Sequence, residues 1–291
     1  MLGRAFAQAL ESVGTSTRVI ALSHADLDVA DRARVMECTA FKPDFILHCA
    51  GMALADECER DPVRARRVNY DGTRHIAQLA LQTGACVFYP QSVFVFDGSE
   101  LPVTEATKPA PNLVYGKLKL LAEQFLLDTV PRTLSVRLAG FFGGDEEDKN
   151  FVGIFAGLLR QMLLTGQGRI EVGDRIWQPS YTLDLARNIL LLLSHQKLGI
   201  YHMGSIGEAS FYDVAKECVD AFGLSREIEV SQRAPEVIST GEVAARPARM
   251  VTANHRLERE GLSLQRPWRE ALREYLQRPY FDDLHRVAKV R

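Results

Sequence analysis

Apolar and polar positions alternate along the first 140 residues in two rhythms. Residues 3–13 repeat apolar side chains at helical spacing, which predicts a helix ending at Gly14, a residue suited to a C-terminal cap. Residues 17–22 form a short β-branched run and residues 45–50 a continuous apolar one, with a helical stretch at 31–41 between them. A long helix is predicted over 62–81, a strand over 86–93, a helix over 114–128 and a strand over 133–139. Unbroken apolar strands separated by helices indicate a parallel sheet covered on both faces, a doubly wound α/β arrangement. After residue 140 the rhythm changes. An acidic turn at 143–149 leads into a helix over 150–165, and the rest reads as a smaller mixed α/β lobe. The expected division is a nucleotide-binding domain at 1–143 with 180–195 returning to it, and a second lobe from 144–179 and 196–291.

Composition narrows the classes. A net charge of −2 over 291 residues provides no basic field for nucleic acid or an anionic membrane. No apolar run reaches the length of a membrane span, and the N-terminus lacks signal-peptide and lipidation patterns, which points to the cytoplasm. Five scattered cysteines form no CxxC pair and the histidines are equally dispersed, so reduced thiols and no protein-liganded metal are expected.

In doubly wound folds the first strand runs into a glycine-rich turn whose backbone N–H groups hold a dinucleotide pyrophosphate. The sequence opens Met1-Leu2-Gly3-Arg4-Ala5-Phe6, which reads as the end of a GxxGxxG turn with Gly3 as its third glycine. The expectation is therefore a chain begun about ten residues late, by the usual length of a strand and turn, and binding dinucleotide poorly in this form.

Further along come Leu27-Asp28-Val29, Pro43-Asp44 before a strand ending His48-Cys49-Ala50, Asn69-Tyr70-Asp71-Gly72-Thr73 and Val95-Phe96-Asp97-Gly98. Val114-Tyr115-Gly116-Lys117-Leu118-Lys119, Tyr181-Thr182-Leu183-Asp184, Gly199-Ile200-Tyr201-His202 and Arg246-Pro247 follow. In this order and spacing the sequence resembles the extended short-chain dehydrogenase/reductases, especially the dTDP-4-dehydrorhamnose reductases, over most of its length. The resemblance implies a Rossmann-like fold and reduction of a nucleoside-diphosphate 4-keto-6-deoxysugar by NADPH or NADH, and it admits a homodimer. The chemistry requires a proton donor for the developing alkoxide, and a tyrosine can serve if a lysine one turn along draws its pKa toward neutrality. Tyr115 and Lys119 have that spacing, with Ser92 on the preceding strand to orient the carbonyl. Tyr212 and Lys216 repeat the spacing, but without a serine-bearing strand before them.

By position the resemblance assigns the cofactor to Gly3, Asp28, Val29, Cys49, Ala50, Gly51 and Lys119, and the sugar nucleotide to Phe94, Asn150, Gln178, Tyr181 and Arg246, the last suited to a diphosphate. Asn69 is expected to brace the sheet. The segment after residue 22 offers Ser23 and His24 but no immediate carboxylate for a ribose 2′-OH, which favours NADPH, although Asp26 and Asp28 lie close by. The sequence departs from the family's S-T-D-Y-V-F-D-G segment, here Gln91-Ser92-Val93-Phe94-Val95-Phe96-Asp97-Gly98, and carries Gly140 where the family often has an aromatic residue. These changes predict a different sugar or a weakened activity. They leave open a regulatory or binding subunit of the same fold, like the methionine adenosyltransferase β subunit, and, less favoured, an epimerase or dehydratase.

Overall fold

The computed structural model describes residues 1–13, 17–233 and 243–289; Gly14, the expected helix cap, lies outside them. Helix α1 (Leu2–Val13) buries Leu2, Ala5, Phe6 and Ala9, an i, i+3, i+4, i+7 stripe. Helix α2 (Arg32–Glu37) is capped by Asp31, whose carboxylate accepts from the Ala33 and Arg34 amides. Strand β1 (Phe45–Leu47) leads to α3 (Ala55–Arg60) and α4 (Pro62–Arg66). A wider π turn (Arg67–Asp71) then joins α5 (Gly72–Thr83). Strand β2 (Cys86–Ser92), α6 (Val114–Thr129) and β3 (Thr133–Leu138) follow, then α7 (Phe151–Thr165), α8 (Thr182–Ser194) and β4 (Gly199–Met203).

The four strands form one parallel sheet in the order β1-β2-β3-β4, with Leu47 opposite Phe88, Ser92 opposite Leu138 and Leu138 opposite Met203. Period-2 alternation divides their side chains between two cores. Cys86, Phe88, Leu134, Val136 and Leu138 pack with α1 and α8, where Phe6 meets Phe88 edge to face at 5.3 Å. Val87 and Tyr89 pack with α2, α5 and α6 through Val35, Ile76, Ala122 and Leu126.

Two expectations are corrected. Residues 17–22 form no strand and are exposed throughout: they pair with no described strand, and an isolated extended run has nothing to hold it. β1 consequently stands at an open edge, with Phe45 47% exposed. Also, β4 lies within 196–291, the stretch assigned to the second lobe, yet it pairs with β3 along five residues and so belongs to the first sheet.

Beyond the sheet, Phe141–Phe142 pairs with Ser180–Tyr181, Arg169–Val172 with Glu229–Gln232, and Ile176–Trp177 with Ala209–Ser210. Among the described residues no helix is long and apolar enough to cross a membrane.

Candidate active site

The carboxyl ends of β1 and β2 meet the N-terminus of α6. Ser92 closes β2, and its hydroxyl accepts from the Phe94 amide at 3.2 Å. Tyr115 stands in the first turn of α6, half-buried against Leu113, Ala55, Phe94 and Ala244. Gly116 permits this approach, because a Cβ there would collide with the Phe94 carbonyl and lie 3.0 Å from Pro111 Cβ. Burial pushes the pKa of the Tyr115 phenol up to about 12, with the Cys58 thiol adding to the rise and the nearby Ser92 hydroxyl opposing it. The expectation that Lys119 draws this phenol toward neutrality is corrected. Lys119 is not among the groups that act on it; the ammonium instead sits 3.7 Å above the Tyr89 ring. A phenol held neutral is a proton donor, the form that reduction of a ketone requires.

Lys119 is 8% exposed and its ammonium has no hydrogen-bond acceptor among the described residues. Burial pushes it down to about 7, opposed by Glu123 and Cys49. Burial, with Lys119 second, takes His48 down to about 3, so it is a neutral ring, held to Thr73 Oγ1 at 3.0 Å. One turn beyond Lys119, Glu123 accepts from Arg137 Nη2 at 2.8 Å, Arg137 Nε at 3.2 Å and Ser135 Oγ at 2.6 Å, all buried.

The cofactor candidates separate into two groups. Gly3 faces Cys49, whose Cβ would be 3.7 Å from a Cβ at position 3, and Ala50 and Gly51 are exposed just beyond. These residues and Lys119 border one side of the site. An acceptor-less ammonium is what cofactor ribose hydroxyls would satisfy, so the residues present fit the ribose and nicotinamide end of such a cofactor. Val29 is instead core, packed on Gly72, where a Cβ would approach its Cγ2 to 2.8 Å. Asp28 caps the Ala30 amide at 2.9 Å and pairs with Arg67 at 3.4 Å, while Asp26 accepts from the Ser23 amide and hydroxyl. Asn69 clasps the Met52 backbone, accepting from its amide at 2.7 Å and donating to its carbonyl at 3.0 Å. The element braced is thus the loop after β1, from within the π turn.

Of the residues assigned to the sugar nucleotide, Phe94 lies beside Tyr115. Three others are engaged elsewhere. Gln178 is buried, accepting from the Thr252 amide and donating to the Thr252 and Ser205 carbonyls. Tyr181 is 4% exposed and stacks on Phe142 at 5.6 Å. The Asn150 amide donates to the Phe141 carbonyl at 2.7 Å. Arg246 pairs with Asp56 on α3 at 2.6 Å, and the same carboxylate accepts from the Val243 and Ala244 amides. This clamp lays Ala244 over Tyr115 and holds the Asp56 carboxyl well below the usual range. Tyr212 and Lys216 lie on a helix of the second lobe (Phe211–Ala221) that is capped by Ser210, with Lys216 exposed.

Sequence reasoning passed over Glu123, Arg137, Asp56 and Trp177. Tyr115, Lys119 and Glu123 recur every four residues on one face of α6, a visible signal for the first. Trp177 had none. Its indole lies so close to Gly140 that a Cβ there would approach ring carbons to 2.5 and 3.0 Å, which puts an aromatic ring directly over this glycine.

The family profile described as RmlD substrate binding domain matches residues 1–281. The spore coat polysaccharide biosynthesis protein SpsK of Bacillus subtilis is 32% identical over 261 residues, covering 89% of this chain and 88% of that protein. A dTDP-4-keto-6-deoxy-D-glucose reductase of Streptomyces niveus is 31% identical, covering 94% and 92%. The crystal structure of a dTDP-4-dehydrorhamnose reductase from Clostridium acetobutylicum superposes with a TM-score of 0.86 at 29% identity, covering 94% of each chain. That of a dTDP-4-dehydrorhamnose reductase from Bacillus anthracis, in complex with NADP, gives 0.84 at 26% identity, again covering 94% of each.

Proposed function

Because the chain belongs to the RmlD substrate binding domain family, we propose that it is a cytoplasmic NADPH-dependent oxidoreductase that reduces the ketone of a nucleoside-diphosphate 4-keto-6-deoxysugar. One observation carries the reading: the Ser92 hydroxyl lies close enough to the Tyr115 phenol to act on its pKa, and one turn along α6 the Lys119 ammonium finds no hydrogen-bond acceptor among the described residues. The related proteins named above include dTDP-sugar reductases and one solved with NADP, which supports both the substrate class and the cofactor. Asp26 and Asp28 are both engaged with local partners, which suits a cofactor bearing a 2′-phosphate.

When bound, a reduced nicotinamide supplies hydride to the carbonyl carbon. The protein's own groups manage the oxygen. Ser92 donates to the carbonyl oxygen and fixes its direction, and Tyr115, neutral through burial, transfers its proton as negative charge develops there. The Lys119 ammonium, which does not act on the phenol in this structure, would hold the ribose hydroxyls of the bound cofactor. Phe94 and Ala244 pack with Tyr115 and shield that side of its ring. A regulatory subunit would have no use for all three groups together.

The test offers dTDP-, GDP- and UDP-linked 4-keto-6-deoxysugars with NADPH and follows loss of NADPH absorbance. Tyr115→Phe should lower kcat by at least ~100-fold, the scale of general acid catalysis, with NADPH affinity nearly unchanged, while Tyr212→Phe changes neither. Reduction of no sugar by unmutated protein that does bind NADPH would favour the regulatory reading, and a dead Tyr212→Phe would place the site in the other lobe.

A further inference from the structure

One buried side chain ties the two catalytic elements together. Gln91 is 2% exposed, and both ends of its amide are engaged with the backbone of residues the reaction uses. Nε2 donates to the Lys119 carbonyl at 2.9 Å, and Oε1 accepts from the Ser92 amide at 2.8 Å. Ser92 ends β2, whereas Tyr115 and Lys119 lie on α6, with residues 93–113 between them. The separation of hydroxyl, phenol and ammonium therefore depends on how the helix sits against the strand.

We propose that Gln91 is a positioning residue for the reduction, a bracket that sets the spacing of Ser92 from Tyr115 and Lys119. The inference rests on the reductase reading given above. α6 does not need Gln91 in order to dock. Ala122 and Leu126 are fully buried with Val87 and Tyr89, and Glu123 is tied to Arg137 and Ser135 on β3. What Gln91 adds is a constraint at the end of the helix where the chemistry lies, joining the Ser92 amide to the Lys119 carbonyl through one planar group. A displacement of about 1 Å between catalytic groups costs roughly 100-fold in rate, so loss of the bracket should appear in the chemical step.

Gln91→Met keeps the side-chain volume and removes both hydrogen bonds. The expected result is a kcat lower by about 10- to 100-fold, with the NADPH dissociation constant and the sugar KM within about twofold of the parent. Hydrogen exchange of the Ser92 amide should accelerate in the same variant. If Gln91→Met does not give folded protein, Gln91→Glu is measured in the same way; it retains the acceptor toward Ser92 and, once ionised, lacks the donor toward Lys119. A parent enzyme that turns over sugar, with variants equal to it in kcat, overturns the bracket alone. So does a variant whose only change is a lower melting temperature. A parent that oxidises NADPH with none of the sugars overturns the reductase reading and, with it, any role for Gln91 in that reaction.

Discussion

Replacing Arg137 with methionine should destabilise the protein far more than loss of a surface charge would. Arg137 is 4% exposed and donates two hydrogen bonds to Glu123, itself 1% exposed. The substitution leaves a buried carboxylate that, among the described residues, keeps only the Ser135 hydroxyl at hydrogen-bond distance. A carboxylate so left has lost the charge-assisted hydrogen bonds that offset its burial. A penalty of about 3–4 kcal/mol is expected, within the range for broken buried ion pairs. The guanidinium also lies 5.4 Å from the Phe96 ring, a contact of about 0.5–1 kcal/mol that is lost as well. Combining Arg137→Met with Glu123→Leu removes both charges and should return stability to within about 1 kcal/mol of the parent. Urea denaturation of the four proteins in the cycle measures this directly. An Arg137→Met cost below about 1 kcal/mol, or a double variant as unstable as the sum of the single ones, would refute the reasoning.

Two further substitutions test the neighbourhood of the phenol. Gly116→Ala improves helix propensity by about 1 kcal/mol, yet its methyl would collide with the Phe94 carbonyl, which is backbone and cannot swing aside. A net loss of roughly 1–3 kcal/mol and a fall in kcat are expected, and a more stable, fully active variant would count against the packing described. Lys119→Met removes a buried ammonium whose pKa is pushed from 10.5 down to about 7. Between those values the unfolded chain holds a proton that the folded chain does not, so parent stability rises with pH across this window and the burial penalty is full below it. The methionine variant should therefore be the more stable at pH 6, by on the order of 2–4 kcal/mol, with the advantage fading toward pH 10. Thermal unfolding at both pH values decides the matter, and an advantage that grows with pH would contradict it.

Much of the fold is legible in the sequence because helices and buried strands carry their periods with them. The stripe of α1, the apolar run of β2 and the breaks at Gly84 and Gly166 are local signals, and the structure follows them closely. Residues 17–22 fail for a non-local reason, since a β-branched run becomes a strand only beside a partner. The Ser92, Tyr115 and Lys119 group was readable from spacing and order. Tyr212 and Lys216 meet the same spacing, and only the absence of a serine-bearing strand before them sets the two pairs apart. Gln178, Tyr181 and Arg246 could not be read as they lie, because their partners Thr252, Phe142 and Asp56 come from distant parts of the chain. The acidity of Tyr115 was misjudged because i, i+4 spacing fixes where two backbones lie but not where a flexible lysine side chain ends.

The indole of Trp177 lying on Gly140 has a consequence for how this protein can change over generations. The two positions share a single volume, and different segments of the chain supply its halves. Placing an aromatic side chain at 140 while Trp177 remains would crowd the space, at about 1–3 kcal/mol or more. Trimming Trp177 alone would strip the packing from one side of it, at about 1–3 kcal/mol for a half-buried ring. Each single step between the two arrangements descends into a valley, and only a paired exchange crosses it on level ground. A lineage that brings its ring from position 177 is therefore held there, and whatever selectivity that placement confers is inherited along with it.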